Sequence, residues 1–142
     1  MKTVRQLLQV KGSQIYAIAP DARVFEALTL MAEREVGALV VTDGGRLAGI
    51  ISERDYARKV ILHGKSSHEM QVRDIMTAKV ITVHPGQTVE ECMALMTEKR
   101  IRHLPVTEGE RLIGMLSIGD LVKEVIAEQE QTIKQLESYI HS

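Results

Sequence analysis

The sequence predicts a mixed α/β (α+β) fold made of two copies of one β-α-β-β-α unit, and three observations carry that expectation. Residues 15–61 and 80–126 align without a gap at an offset of 65, as from Gly49 to Gly114, so a fixed internal period governs the fold. Within each copy the apolar spacing switches from β-rich runs to a helical i, i+3, i+4, i+7 stripe and back. Glycine-bearing turns separate the strand-like runs.

Each copy opens with a β-rich run, Ile15-Tyr16-Ala17-Ile18 or Val80-Ile81-Thr82-Val83, that stops at a turn containing Pro20 or Pro85. Val24, Ala27, Leu28 and Met31, matched by Val89, Cys92, Met93 and Met96, then lay one apolar stripe along a helix. A buried-looking strand follows, Ala38-Leu39-Val40-Val41 or Leu104-Pro105-Val106. Asp43-Gly44-Gly45 and Glu108-Gly109-Glu110 provide turn chemistry, so a hairpin is expected, returning through Leu47–Ile51 and Leu112–Leu116. Ser52 and Ser117 stand where a helix N-cap is wanted, three residues ahead of Asp55 and Asp120 on the last helix of each copy.

A shorter echo precedes each copy: Val4-Arg5-Gln6-Leu7-Leu8 resembles Val72-Arg73-Asp74-Ile75-Met76 at an offset of 68, which places three extra residues between Gln9 and Gln14. The chain thus divides into a first repeat at 3–62, a linker rich in Ser, Lys and Gly at 63–70, a second repeat at 71–126 and a C-terminal helical tail at 127–142. From the end of the second repeat into the tail, Val122, Ile126, Ile133, Leu136 and Ile140 keep a helical apolar spacing that Gln129 or Glu130 interrupts. Two arrangements fit it, a helix folded back on its own domain and a helix contributing to a dimer interface.

Composition narrows the function classes. At 142 residues each repeat alone is near the size at which a core is marginal, so the halves are expected to share one. Apolar residues make up 44% and aromatics only 3%, so that core must be aliphatic. A net charge of −1 lacks the basic footprint of a nonspecific nucleic-acid binder. The single Cys92, on the apolar helix stripe, cannot form an internal disulfide and reads as a buried residue. No apolar run approaches bilayer length, and residues 1–11 lack the features of a secretory signal, so a cytoplasmic protein with no membrane contact is expected.

A duplication kept only for packing should repeat apolar positions, yet Gly49, Ser52 and Asp55 recur as Gly114, Ser117 and Asp120. The pattern suits a nucleotide. A carboxylate on the first turn of a helix can accept hydrogen bonds from both vicinal hydroxyls of a ribose. The adjoining helix N-terminus offers unpaired N–H groups and a positive dipole end to a phosphate. The competing reading is a plain capping box, with each acid closing back on its own serine. The paired copies favour two related sites. Other chemistries lack their residues: there is no phosphate-loop or dinucleotide glycine fingerprint, no serine elbow, and no metal-ligand spacing among one cysteine and five histidines. No catalytic residue, catalytic cofactor or metal is expected, and nothing suggests an enzyme.

The motifs Gly49-Ile50-Ile51-Ser52-Glu53-Arg54-Asp55 and Gly114-Met115-Leu116-Ser117-Ile118-Gly119-Asp120, with Arg102-His103-Leu104-Pro105-Val106 and Val72-Arg73-Asp74-Ile75-Met76, resemble cystathionine-β-synthase (CBS) domains in tandem across residues 3–126. The resemblance implies two repeats about a pseudo-twofold axis, pairing of chains into a flat homodimer, and adenine-nucleotide ligands, AMP, ADP, ATP or NAD(H), in clefts between repeats. It implies that Asp55 and Asp120 hold ribose hydroxyls and that Ser52 and Ser117 lie near ribose or phosphate. Tyr16 and Ile81 would border the adenine, and Val36-Gly37-Ala38 and Ile101-Arg102-His103 would form the other nucleotide-facing stretch. Arg102 and His103 would reach across the pseudo-twofold to the Asp55 cleft, joining Arg54, whose counterpart is Gly119. The implied role is an energy or redox sensor regulating a protein partner; a ligand-free interaction scaffold is the alternative.

Overall fold

The computed structural model describes residues 2–141; Ser142, the last residue of the expected tail, lies outside them. Helix α1 spans Val4–Lys11 and is followed by strand β1 (Ala17–Ile18), α2 (Val24–Arg34), β2 (Ala38–Asp43), β3 (Arg46–Ser52), α3 (Glu53–Lys59) and a 3-10 turn at Ile61–His63. The second half runs α4 (Val72–Ile75), α5 (Val89–Lys99), β4 (His103–Glu108), β5 (Arg111–Ser117) and α6 (Ile118–His141). The mixed α/β architecture and the two-copy order are those expected.

The hairpins form where the glycine turns placed them. β2 pairs antiparallel with β3 from Ala38↔Ser52 to Asp43↔Arg46, and β4 with β5 from His103↔Ser117 to Glu108↔Arg111. Both hairpins carry a register shift at the same place, Val41/Thr42 and Val106/Thr107. The opening strands are less equal. β1 runs parallel to β2, with Val40 N–H donating to the Tyr16 carbonyl at 3.3 Å. The expected strand at Val80–Val83 reduces to one bridge, Val83↔Val106. The residue matching Val40 is Pro105, which has no N–H to give to Ile81, so the ladder cannot extend.

One shared core was expected; the structure has two that interlock. The first gathers Val24, Ala27, Met31, Leu39, Val41, Ile51 and Val60 together with Val72 and Ile75 from α4. The second gathers Val83, Val89, Cys92, Met96, Leu104, Val106, Leu116 and Leu121 together with Val4, Leu7 and Leu8 from α1. Each echo helix therefore completes the half on the other side of the pseudo-twofold. Backbone bonds lock the exchange: Val4 N to Gln87 O and Val89 N to Lys2 O at one end, Val72 N to Ala22 O and Val24 N to Met70 O at the other. A fully buried aliphatic side chain contributes about 1.5–3 kcal/mol, so the nearly inaccessible Val4 and Leu7 bind α1 firmly to the second half.

The repeated glycines serve this docking. A Cβ on Gly49 would lie 2.7 Å from Met76 Sδ and 2.8 Å from the Thr77 carbonyl, and one on Gly114 would lie 2.8 Å from Leu8 Cδ2. Both positions are reserved for close approach of the exchanged segments, so packing alone accounts for the glycine of the repeated motif.

The tail does not fold back. α6 continues unbroken from Ile118 to His141, through Gln129 and Glu130, and residues 127–141 are exposed along their length. Of α6 only the first turns are anchored, with Leu121 and Glu124 buried.

Candidate functional site

Ser52 ends β3 in extended backbone and its hydroxyl accepts from the Asp55 N–H at 3.2 Å, starting α3. Asp55 Oδ2 in turn accepts from Ser52 N–H at 2.9 Å and from Ser52 Oγ at 3.1 Å. The same reciprocal box starts α6, with Asp120 Oδ2 at 2.8 Å from Ser117 N and 3.0 Å from Ser117 Oγ. Both acids thus cap their helices with one oxygen. Asp55 keeps the other, Oδ1, 3.2 Å from Lys59 Nζ, and a carboxylate oxygen with two lone pairs retains room for a further donor.

Beside Asp55 opens a cavity of about 690 Å3. Ser52, Glu53, Arg54, Asp55, Arg58 and Lys59 border it from the start of α3, with Gly37 and Ile50 nearby. The second half contributes Thr77, Lys79, Val80 and Ile81, and then Arg100, Ile101, Arg102 and His103 from the entry to β4. Arg102 and His103 therefore do cross to the Asp55 side. The lining carries Arg54, Arg58, Lys59, Lys79, Arg100 and Arg102 against Glu53 and Asp55, a concentration of positive charge in a chain of net charge −1.

Two backbone features shape this cleft. Arg100 caps α5 with a left-handed backbone, φ 55°, as Glu35 caps α2 with the same φ at the matching position. Pro105 leaves the Ile81 carbonyl without the ladder partner that Tyr16 has. His103 sits on the boundary between halves. Burial lowers its pKa from the ordinary 6.5; the Asp120 carboxylate works against that, and the Lys11 and Arg102 charges add to it, so the imidazole is neutral at pH 7.

Of the residues expected to face a nucleotide, Gly37, Ser52, Arg54, Asp55, Ile81, Ile101, Arg102 and His103 come together at this cavity. Val36 borders a smaller hollow of about 300 Å3 beside Leu28, Met31 and Glu35, and Ala38 is buried in the sheet. Tyr16 packs against the first core with Arg34 5.4 Å over its ring. Ser117, Gly119 and Asp120 lie apart from this cavity, in the second half, where Lys11 Nζ reaches Asp120 Oδ2 at 2.6 Å. Sequence reasoning missed Arg58, Lys59, Lys79 and Arg100. The first two lie one turn beyond Asp55 on its own helix, a spacing that was there to be read.

Cys92 is no nucleophile: burial, then the Glu91 carboxylate, push its thiol up to about 11. Among the described residues no group of three His, Cys, Asp or Glu side chains is placed to hold a metal ion, and no helix is long and apolar enough to cross a membrane.

Comparison with known proteins agrees with the geometry. The CBS domain family matches residues 9–62 and 72–127. A mitochondrial CBS domain-containing protein of Arabidopsis thaliana, CBSX3, is 46% identical over 134 residues, covering 91% of this chain; the chain spans 65% of that relative's length. A protein with CBS domains from Burkholderia ambifaria superposes with a TM-score of 0.87 at 55% identity, covering 90% of this chain and 96% of that one. The CBS pair of a further protein, solved with 5′-methylthioadenosine and S-adenosyl-L-methionine, shares the fold at a TM-score of 0.80 and 23% identity, over 90% and 98% of the two chains. With two matched domains, an exchanged-helix fold and relatives built from the same pair, the chain belongs to the CBS-domain family.

Proposed function

We propose that this CBS pair is a regulatory module that binds a phosphate-rich adenine nucleotide (AMP, ADP, ATP or NAD(H)) in the cleft at Asp55 and reports energy or redox state through a homodimer. The single observation that carries the reading is the cationic cavity. Its volume falls within the range of about 300–1,000 Å3 typical of small-molecule sites. Its positive lining is costly to assemble without an anion to neutralise it. Asp55 Oδ1 gives a ribose its acceptor, Arg54, Arg58, Lys79 and Arg102 give phosphates their donors, and the Ile81 backbone offers an edge to adenine. The adenosine-bearing ligands of the 23%-identical pair are of the same chemical kind.

The homodimer has a physical basis in α6. Val122, Ile126, Gln129, Ile133, Leu136 and Ile140 follow one another in alternating steps of four and three residues, the seam of a two-stranded coiled coil with one polar layer at Gln129. Ile133, Leu136 and Ile140 are 54%, 57% and 75% exposed in the single chain, an apolar strip that pairing would cover. A nucleotide shifts such a dimer between arrangements only by the difference in its affinity for them.

The same exposed strip favours the second reading, a scaffold that binds proteins and no nucleotide. A thermal-shift panel of ATP, ADP, AMP, NAD(H) and S-adenosylmethionine separates the two. A ligand at 100 times its dissociation constant adds about 2.7 kcal/mol of stability. Absence of any shift across the panel would leave the scaffold.

A further inference from the structure

The carboxylate that matches Asp55 in the second half already has a cation against it. Lys11, in the last turn of α1, donates at 2.6 Å to Asp120 Oδ2 and at 2.6 Å to the Met115 carbonyl, with the two charged side chains only 28% and 22% exposed. Burial raises the Asp120 pKa, but the Lys11 hydrogen bond, the Ser117 N–H and the Lys11 charge outweigh it, and the net result is a carboxyl held below its ordinary value.

The first half solves the same electrostatic problem differently. Asp55 takes its cation from Lys59, one turn along the same helix. Lys79, which follows Lys11 by the 68-residue offset of the echo segments, borders the open cavity. The residue matching Lys59 in the second half is Glu124, which is buried and tied to Lys2 at 3.2 Å. With an acid where the first half has an ammonium, Asp120 makes no ion pair along its own helix among the described residues, and Lys11 provides one from across the pseudo-twofold. The backbone follows the same asymmetry, since the Tyr16 carbonyl is engaged by Val40 while Ile81 faces a proline.

We propose that Lys11 is an internal occupant of the space beside Asp120, standing in for the donors of a nucleotide's ribose, and that it limits binding to one nucleotide per chain. Lys11 shares Oδ2 with the helix cap, and its ammonium, fixed also by the Met115 carbonyl, stands beside the carboxylate as a rival donor to a ribose hydroxyl. The exchange of Lys59 for Glu124 is what assigns Lys11 to this duty and leaves Lys79 to serve the open cleft. The proposal rests on the reading of these carboxylates as ribose acceptors.

Calorimetric titration of the full chain, with ATP and with AMP as probes, tests it. The wild type is expected to take up one equivalent per chain, and Lys11→Met two. Adding Asp120→Asn to Lys11→Met should return the count to one. Lys11→Gln, whose amide is shorter and uncharged, repeats the test should the methionine variant fold poorly. Two equivalents in the wild type, or an unchanged count in both Lys11 variants, overturns the proposal. The nucleotide reading fails separately, if Asp55→Asn in the wild-type background leaves affinity unchanged.

Discussion

The imidazole of His103, in the second half, lies against Gly37 of the first, its Cε1 and Nε2 3.8 and 3.9 Å from where a Cβ on that glycine would stand. The ring thus lines the Asp55 cavity while burial lowers its proton affinity, opposed by the Asp120 carboxylate and reinforced by the Lys11 and Arg102 charges. A phosphate beside it favours the imidazolium. Nucleotide binding should therefore take up a proton near and below pH 6.5, and ATP affinity should rise as pH falls. Calorimetry in buffers of different ionisation enthalpy checks this, and His103→Gln should abolish the uptake. For the free protein the sign is opposite. The folded pKa is below 6.5, so the unfolded chain binds the proton first and the stability contributed by neutral His103 declines as pH drops through that window.

Asp55→Asn keeps an oxygen for the Ser52 N–H but removes the charge. ATP affinity should fall by about 10- to 100-fold, the loss expected for a charged hydrogen bond of about 1.5–3 kcal/mol. Asp55→Ala should lose the same affinity and in addition about 1 kcal/mol of stability, because the capping box of α3 goes with it. Titration calorimetry and urea unfolding read the two effects apart.

Arg100 holds a left-handed backbone and borders the cleft; Glu35 holds the same backbone away from the Asp55 cavity. Replacing either by glycine should relieve about 1 kcal/mol of backbone strain, offset in part by the entropy glycine adds to the unfolded chain. Only Arg100→Gly should weaken ATP. Equal loss of affinity in Glu35→Gly would show that the cap, not the guanidinium, matters.

Gly49→Ala should be the more damaging of the two repeated-glycine substitutions. Its Cβ meets a backbone carbonyl at 2.8 Å, whereas that of Gly114 meets only the tip of Leu8. Overpacking of this kind costs about 1–3 kcal/mol, and Gly49→Ala should sit at the upper end in thermal unfolding.

Ile133→Glu combined with Leu136→Glu places charges on the α6 seam. If that seam joins two chains, light scattering should show the mass halved with the helical signal of the two domains retained.

Much of this architecture was legible because local and global signals agree. The stripe from Val24 to Met31, the Asp43-Gly44-Gly45 turn and the Ser52 cap each specify one element, and each recurs at the same offset. What was hidden depends on contacts that a single copy does not display. Val80–Val83 looks like a strand until Pro105 is seen to sit opposite, and the echo segments look like parts of their own repeats until Leu8 is found against Gly114. Arg102 and His103 were traced to the Asp55 cavity, while Lys11 escaped notice because its partner lies 109 residues away. Val36 and Ala38 flank Gly37 in sequence, but Val36 packs against the first core beside Leu28 and Met31 and Ala38 is buried at the start of β2, so neither reaches the cleft that Gly37 borders.

The crossing of α1 and α4 has a consequence for how such a protein can be divided. Excising either repeat by its sequence limits would remove a wall from the partner and carry away a helix with nothing to cover. The smallest piece able to stand alone is the intact couple, so any lineage that splits or recombines these halves must first re-home a helix.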